Sequence, residues 1–217
     1  DELVPAGEPI EPHQIRMSNG PALVSLLEQH GYDDCQHRHL IDEPAVLEES
    51  IAAELDAADI LVLSGGVSMG KADYVPEVLE KLGVEVSFHK VSQRPGKPMW
   101  FGMAPGKKAV FALPGNPVSA LVCCRQYVVP ALDKALGRKE AAPEFASLAA
   151  DTSFKPDLTC FKPVRLVSSA AGQLLAMPVM TNTSGDFTAL SGTDGYVELA
   201  QGSSHFPTGT PVRLYRW

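Results

Sequence analysis

At 217 residues the chain is long enough for one large domain, or for one medium and one small. Its 45% hydrophobic and 20% charged residues are those of a globular protein, and a net charge of −8 argues against non-specific nucleic-acid binding while leaving room for a local basic patch. The four cysteines (Cys35, Cys123, Cys124, Cys160) lack Cys-x-x-Cys spacing, which reads as reduced thiols in a cytoplasmic protein, and the sequence contains no signal peptide or apolar run long enough for a membrane span.

Residues 1–20 carry Pro5, Gly7, Pro9, Pro12 and Asn19-Gly20, which reads as loop. Pro21 opens a helix with Leu23, Leu26, Leu27 and His30 at helical spacing, and Gly31 stops it. A short mixed strand is expected over 33–41, with His37 and His39 on one face but no third ligand near them. Asp42-Glu43-Pro44 starts a second helix striped by Leu47, Ile51 and Leu55. A strand at 59–64, a helix at 73–82 and a strand at 84–91 follow. Apolar runs at 98–103 and 108–113, split by Pro105-Gly106, predict a hairpin. Asn116 and Pro117 open a long apolar helix that Pro130 is expected to kink near its end.

This alternation predicts an α/β fold: a three-layer, mixed, mostly parallel sheet with helices on both faces. After Gly137 the texture changes to short strands with turn signals, at 161–167, 173–180, 195–200 and 211–216. The domains are therefore placed at 1–142, the α/β part, and 143–217, a small all-β domain near the lower size limit for independent stability.

The chemistry centres on Ile60 to Asp73. Four apolar residues predict a strand buried on both faces, running into the turn Ser64-Gly65-Gly66. Such a turn can bring backbone N–H groups close to an anion or can simply join strand to helix. Gly65-x-x-x-x-Gly70-Lys71 lacks the magnesium-binding hydroxyl of a nucleotide P-loop, because Ala72 stands in its place. Asp42 and Asp73 each follow a strand, where open α/β sheets bind ligands, and two carboxylates there would suit magnesium. His89 to Pro98 carries Lys90, Arg94 and Lys97 with no acid, which favours an oxyanion site. Leu113-Pro114-Gly115-Asn116-Pro117-Val118-Ser119 offers a second anion-accepting turn. Cys123 and Cys124 read as core.

Together these segments resemble the C-terminal half of the MoeA-type molybdopterin molybdenumtransferases, the family of the gephyrin E domain. The matching stretches are Asp1-Glu2-Leu3, Gln14-Ile15, Ser18-Asn19, Asp42-Glu43-Pro44, Ser64 to Gly70, Asp73-Tyr74, Arg94 to Pro98 and Leu113 to Ala120. A weaker match in the β domain runs through Ser184-Gly185-Asp186-Phe187 and Thr193-Asp194-Gly195. The resemblance implies insertion of molybdate into adenylylated molybdopterin with a divalent cation, Mg2+, and release of AMP. It also implies that Glu2, Asp42 and Asp73 are catalytic, with Asp42 and Asp73 holding the metal. Lys90, Arg94, Lys97, Pro98, Ser119 and Ser184 match the anion and pterin region. Ser64, Gly65, Gly66, Ser68 and Gly70 match the phosphate cradle, beside Pro114, Gly115, Asn116 and Pro117.

Pro163 falls where many relatives carry an arginine, and Arg165 lies two residues on, on the same side by strand alternation. The family's two N-terminal domains and the first strand of this domain precede the aligned region. That strand is internal in the family, so two open edges are expected here, with the preceding segment either filling the gap as a separate piece or removed by clipping. The resemblance ties activity to those preceding parts and to a homodimer. Competing readings are a molybdopterin adenylyltransferase-like enzyme, a non-catalytic scaffold of the same fold, and a nucleotide phosphohydrolase. The Arg94 to Pro98 loop and the β domain speak against the first, and Ala72 against the last.

Overall fold

The computed structural model describes residues 3–41, 43–67, 74–180 and 186–217. Where loop alone was expected, two short strands, β1 (Leu3–Val4) and β2 (Ile15–Arg16), pair in parallel. The Arg16 guanidinium closes the Pro/Gly-rich excursion between them by donating to the carbonyls of Pro5 and Glu8. Helix α1 (Asn19–Gln29) buries Leu23, Leu26 and Leu27, and Gly31, at φ 82°, turns the chain away.

The strand expected over 33–41 does not form; the segment has no regular structure and is mostly exposed. A strand needs a neighbouring edge for its backbone groups, and this segment is tied down by side chains instead. Tyr32 donates to Asp133 (2.7 Å), the Cys35 thiol donates to the Tyr32 carbonyl, and Leu40 packs on a core cluster. His37 and His39 therefore share no strand face. The His37 ring lies on Gly20, where a Cβ would come within 2.0 Å of Nε2.

Helix α2 (Pro44–Ala57), strand β3 (Ile60–Ser64), helix α3 (Val75–Lys81) and strand β4 (Glu85–His89) follow. After the two-residue strand β5 (Gln93–Arg94) comes the expected hairpin, β6 (Trp100–Ala104) and β7 (Lys108–Leu113). The sheet order is β3-β7-β6-β4; β3 pairs with β7 in parallel, and β6 is antiparallel to both its neighbours. Three strands thus share one direction and the hairpin supplies the reversed one.

Alternation along β7 separates the two faces. Val110 and Ala112 face α2 and α3, where Leu47, Ile51, Leu55, Val75, Val78 and Leu79 close a core around Trp100. Phe111 and Leu113 face the other layer, with Leu23, Leu26 and Leu27 of α1 and the apolar side of the helix that follows β7. Each such fully buried aliphatic side chain contributes about 1.5–3 kcal/mol. Strand β3 departs from expectation: Ile60 to Leu63 are only half-buried, because among the described residues β3 ends the four-stranded sheet and has one neighbour instead of two.

The long helix also differs from a simple kink. Helix α4 (Pro117–Cys123) widens into a π-turn over Cys124–Val128, where the Val129 N–H bonds the Cys124 carbonyl, and continues as α5 (Val129–Ala135). Pro130 has no N–H to give the preceding turn and its ring would crowd it, so a wider turn absorbs the mismatch.

The remaining strands are β8 (Glu144–Leu148), β9 (Thr152–Ser153), β10 (Thr159–Ser168), β11 (Leu174–Pro178), β12 (Gly195–Leu199), β13 (His205–Phe206) and β14 (Pro211–Arg216). The order β10-β11-β8-β14-β12 returns to β10, so five strands close on themselves around Leu148, Val164, Ala176, Val197 and Leu199. Closure removes the open edges of a small sheet. This part leans on the first: β10 pairs in parallel with β5, and Val122 of α4 packs with Phe161, Tyr196, Tyr215 and Trp217. Arg125 of the π-turn donates to the Arg216 carbonyl (2.8 Å).

Candidate functional site

Three connections meet at one edge of the four-stranded sheet. β3 and β7 end together, with Ser64 beside Leu113. β6 starts at this edge because Trp100 pairs with Ala112, and β4 ends there because His89 pairs with Trp100. The turn after β3, the turn after β7 and the Lys90–Met99 connection are thus neighbours, on strands about 4.8 Å apart. Such an edge is where open α/β sheets bind ligands.

The first two turns are held to each other. The Gly65 N–H donates to the Leu113 carbonyl (3.1 Å), and a Cβ on Gly115 would lie 3.5 Å from the Gly65 Cα. Gly66, at φ 67°, has no room for a side chain, since a Cβ there would sit 2.6 Å from Val75 Cγ2. The Asn19 side-chain NH2 at the start of α1 spans both turns, donating to Ser64 Oγ (2.9 Å) and to the Gly115 carbonyl (2.7 Å). A carbonyl only accepts, so this contact fixes which way the amide points. Its Oδ1 is shielded from solvent and has no partner among the described residues. Asn116 and Pro117 begin α4, and Asn116 makes no side-chain capping bond. Ser119 is almost wholly buried (3% exposed), in the first turns of α4.

The basic connection is a loop with a buried back and a charged front. Lys90, Arg94 and Lys97 are exposed, whereas Gln93, Gly96 and Met99 are buried. Backbone bonds from Lys90 N–H to Met99 O (2.7 Å), Val91 N–H to Lys97 O (2.9 Å) and Met99 N–H to Gly96 O (3.1 Å) close it on itself. Pro98 is half-buried beside Met99. Behind it, the Gln93 carboxamide donates to the Pro95 carbonyl (2.9 Å) and to Cys123 Sγ (3.6 Å), and accepts from the Tyr127 hydroxyl. The Cys123 thiol in turn donates to the Gly96 carbonyl (3.7 Å). Burial, with Cys124 beside it, pushes the Cys123 thiol up to about 12, and burial, with Cys123 beside it, does the same for the Tyr127 phenol. Both stay protonated donors at neutral pH.

The β barrel reaches this loop. Thr159 and Cys160 of β10 lie opposite Gln93 and Arg94, and the Thr159 N–H bonds the Ser92 carbonyl (3.0 Å). Burial raises the Cys160 thiol to about 11 against the opposing pull of Lys162 and Arg94. Arg165 is exposed and its Nε donates to the Gly192 carbonyl (2.9 Å), while Pro163 is buried opposite Tyr196.

Of the residues singled out in the sequence, Ser64, Gly65, Gly66, Pro114, Gly115, Asn116 and Pro117 come together at one corner, with Lys90, Arg94, Lys97 and Pro98 on the adjoining loop. Glu2, Asp42, Ser68, Gly70, Asp73 and Ser184 lie outside the described residues. Among the described residues no group of three or more His, Cys, Asp or Glu could hold a metal. Sequence reasoning missed the supporting roles of Gln93, Cys123 and Tyr127. A lone glutamine beside a basic run, and a cysteine and tyrosine in an apolar helix, carry no pattern that would have revealed them.

A family profile described as "Probable molybdopterin binding domain" matches residues 1–134, and one described as "MoeA C-terminal region (domain IV)" matches residues 146–217. This chain belongs to the MoeA family. It is similar to the molybdopterin molybdenumtransferase of Synechocystis sp. (38% identity over 218 residues, covering 100% of this chain and 53% of the relative). It is also similar to that of Synechococcus elongatus (34% over 217 residues, 98% and 52%). The crystal structure of a MoeA molybdopterin-biosynthesis protein from Pyrococcus horikosii superposes with TM-score 0.82 at 32% identity, covering 99% of this chain and 51% of that one. The chain thus spans about half the length of the MoeA relatives it matches. Among the described residues no helix is long and apolar enough to cross a membrane.

Proposed function

We propose that this chain forms the pyrophosphate, pterin and oxyanion part of a molybdenum-cofactor-forming enzyme, which inserts molybdate into adenylylated molybdopterin and releases AMP. The observation that carries the reading is the convergence of two glycine turns and a basic loop at one sheet edge. Ser64, Gly65 and Gly66, continued by Ser68 and Gly70, receive the phosphate side of the ligand. The turn Pro114 to Pro117, with Ser119 behind it, forms the adjoining wall. Lys90, Arg94, Lys97 and Pro98, together with Ser184, hold the molybdate dianion close to the pterin sulfurs, where positive charge offsets the repulsion between two anions.

Glu2, Asp42 and Asp73 are proposed as the catalytic carboxylates. Asp42 and Asp73 are one residue ahead of Glu43 and Tyr74, the cap positions of α2 and α3, two helices that pack on each other. Two hard oxygen donors suit Mg2+, which when bound would offset pyrophosphate charge. The division at 142–143, a cytoplasmic location consistent with four unpaired thiols, and a homodimer of the longer protein belong to the same proposal. So does a further strand along the open edge of β3, whose half-exposed apolar residues would then be covered.

The test is to mix the protein, with its preceding domains, with adenylylated molybdopterin, Mg2+ and molybdate, and to measure AMP. Molybdate-dependent AMP release is expected, and Asp73→Asn should abolish it with little change in melting temperature. Binding of the nucleotide without AMP formation would instead favour a scaffold.

A further inference from the structure

Resting on the proposed oxyanion role of the basic loop, we propose that Gln93 is a positioning residue that sets the molybdate-binding geometry of Arg94 and Lys97. Four observations converge on it. Gln93 is 3% exposed, next to three exposed cations in a strongly acidic chain. Both its N–H donors and its carbonyl oxygen are engaged behind the loop. Its NH2 grips the Pro95 carbonyl and the Cys123 sulfur, and its carbonyl oxygen accepts from the Tyr127 hydroxyl. The loop's tightest point, Gly96, fits against the same two groups, with a would-be Cβ 2.4 Å from Cys123 Sγ and 2.7 Å from Gln93 Nε2. Finally, the Gln93 backbone lies opposite Thr159 of the β barrel, so one residue joins the loop, the helix behind it and the barrel.

The physical logic is preorganisation. Arg and Lys side chains lose rotamer freedom when they grip an anion, and a loop that also had to order its backbone would bind more weakly. The clamp settles the backbone cost during folding. The Tyr127 hydroxyl comes from the π-turn, which rotates that residue relative to an unbroken helix, so the widened turn and the loop geometry are coupled. Gln93 touches no ligand in this scheme and acts only through the residues that do.

The experiment titrates the protein, with its preceding domains, with molybdate, and separately with AMP as a probe of the glycine-turn side, comparing wild type, Tyr127→Phe, Gln93→Met and the double variant by calorimetry. Tyr127→Phe removes one oxygen and keeps the ring, so it retains the fold. The expected result is molybdate binding weakened about fivefold by Tyr127→Phe, the size of one lost hydrogen bond, and further by Gln93→Met. AMP affinity should be unchanged, and the double variant no worse than Gln93→Met alone. Equal weakening of both ligands would mean a general structural role and overturn the proposal, as would unchanged molybdate affinity in both single variants. Wild type that binds AMP but not molybdate would overturn the oxyanion role of the loop as well, whereas wild type binding both with indifferent variants sinks the Gln93 proposal alone.

Discussion

Replacing Gly96 with alanine tests how tightly the basic loop is seated. Its φ of 97° is one that side-chain-bearing residues rarely adopt, and the new methyl would lie 2.4 Å from Cys123 Sγ and 2.7 Å from Gln93 Nε2. Neither neighbour is the free end of a mobile chain: Cys123 is fully buried and Gln93 is fixed by hydrogen bonds at both ends of its amide. The backbone contribution costs about 1–2 kcal/mol and overpacking about 1–3 kcal/mol. The sum, about 2–5 kcal/mol, lowers the melting temperature by about 4–20 °C in a chain of this size. Thermal unfolding followed by circular dichroism reads this directly. Repeating the substitution in a Cys123→Ala background separates the causes, since removal of the sulfur relieves the crowding against Cys123 but neither that against Gln93 Nε2 nor the strained φ. The Gly96→Ala penalty should then shrink by part of the overpacking cost without vanishing. A Gly96→Ala protein melting within about 1 °C of wild type would refute the reasoning, because both contributions would have to be absent.

Two further predictions follow from the same geometry. Asn19→Ala removes both hydrogen bonds that join the Ser64 and Gly115 turns and should cost about 1–3 kcal/mol in urea unfolding; hydrogen exchange at Gly65 and Gly66 should rise with it, and unchanged exchange there would show that the turns do not depend on the clasp. In the barrel, hydrogen bonds from Arg216 (2.8 and 2.9 Å) hold the Glu144 carboxyl below its ordinary 4.5. A carboxyl lowered in the folded state stabilises above its unfolded value and loses that contribution as the pH falls through the lowered one. Glu144→Gln should therefore be slightly less stable than wild type at neutral pH, and the gap should close in acid. The effect is small because both side chains are substantially exposed, and a gap that widens below pH 4.5 would reverse the sign and refute the pairing.

Much of the α/β part was legible in the sequence because its signals are local. The Leu47-Ile51-Leu55 stripe, the Pro105-Gly106 hairpin turn and the Asn116-Pro117 helix start depend on residues a few positions apart, and each formed as read. The glycine turns and the basic run were visible for the same reason, and the family they resembled is the one whose profiles match the chain. Partnership between distant segments was not visible. Residues 33–41 read as a short mixed strand yet pair with no sheet edge, and β3 has the apolar run of an internal strand but only one neighbour among the described residues. Pro130 announced a disturbed helix, yet only packing decided that the turn would widen and present Tyr127 to Gln93. Closure of the barrel, and its pairing with the basic loop through Thr159 and Cys160, likewise join positions far apart in the chain. The sequence by itself determined which segments carry helix, strand and charge, since periodicity and turn chemistry are written in neighbouring residues. Tertiary structure alone decided that Asn19 clasps two turns and that Gln93 backs the loop, because a buried amide acquires its role from partners that chain folding brings to it.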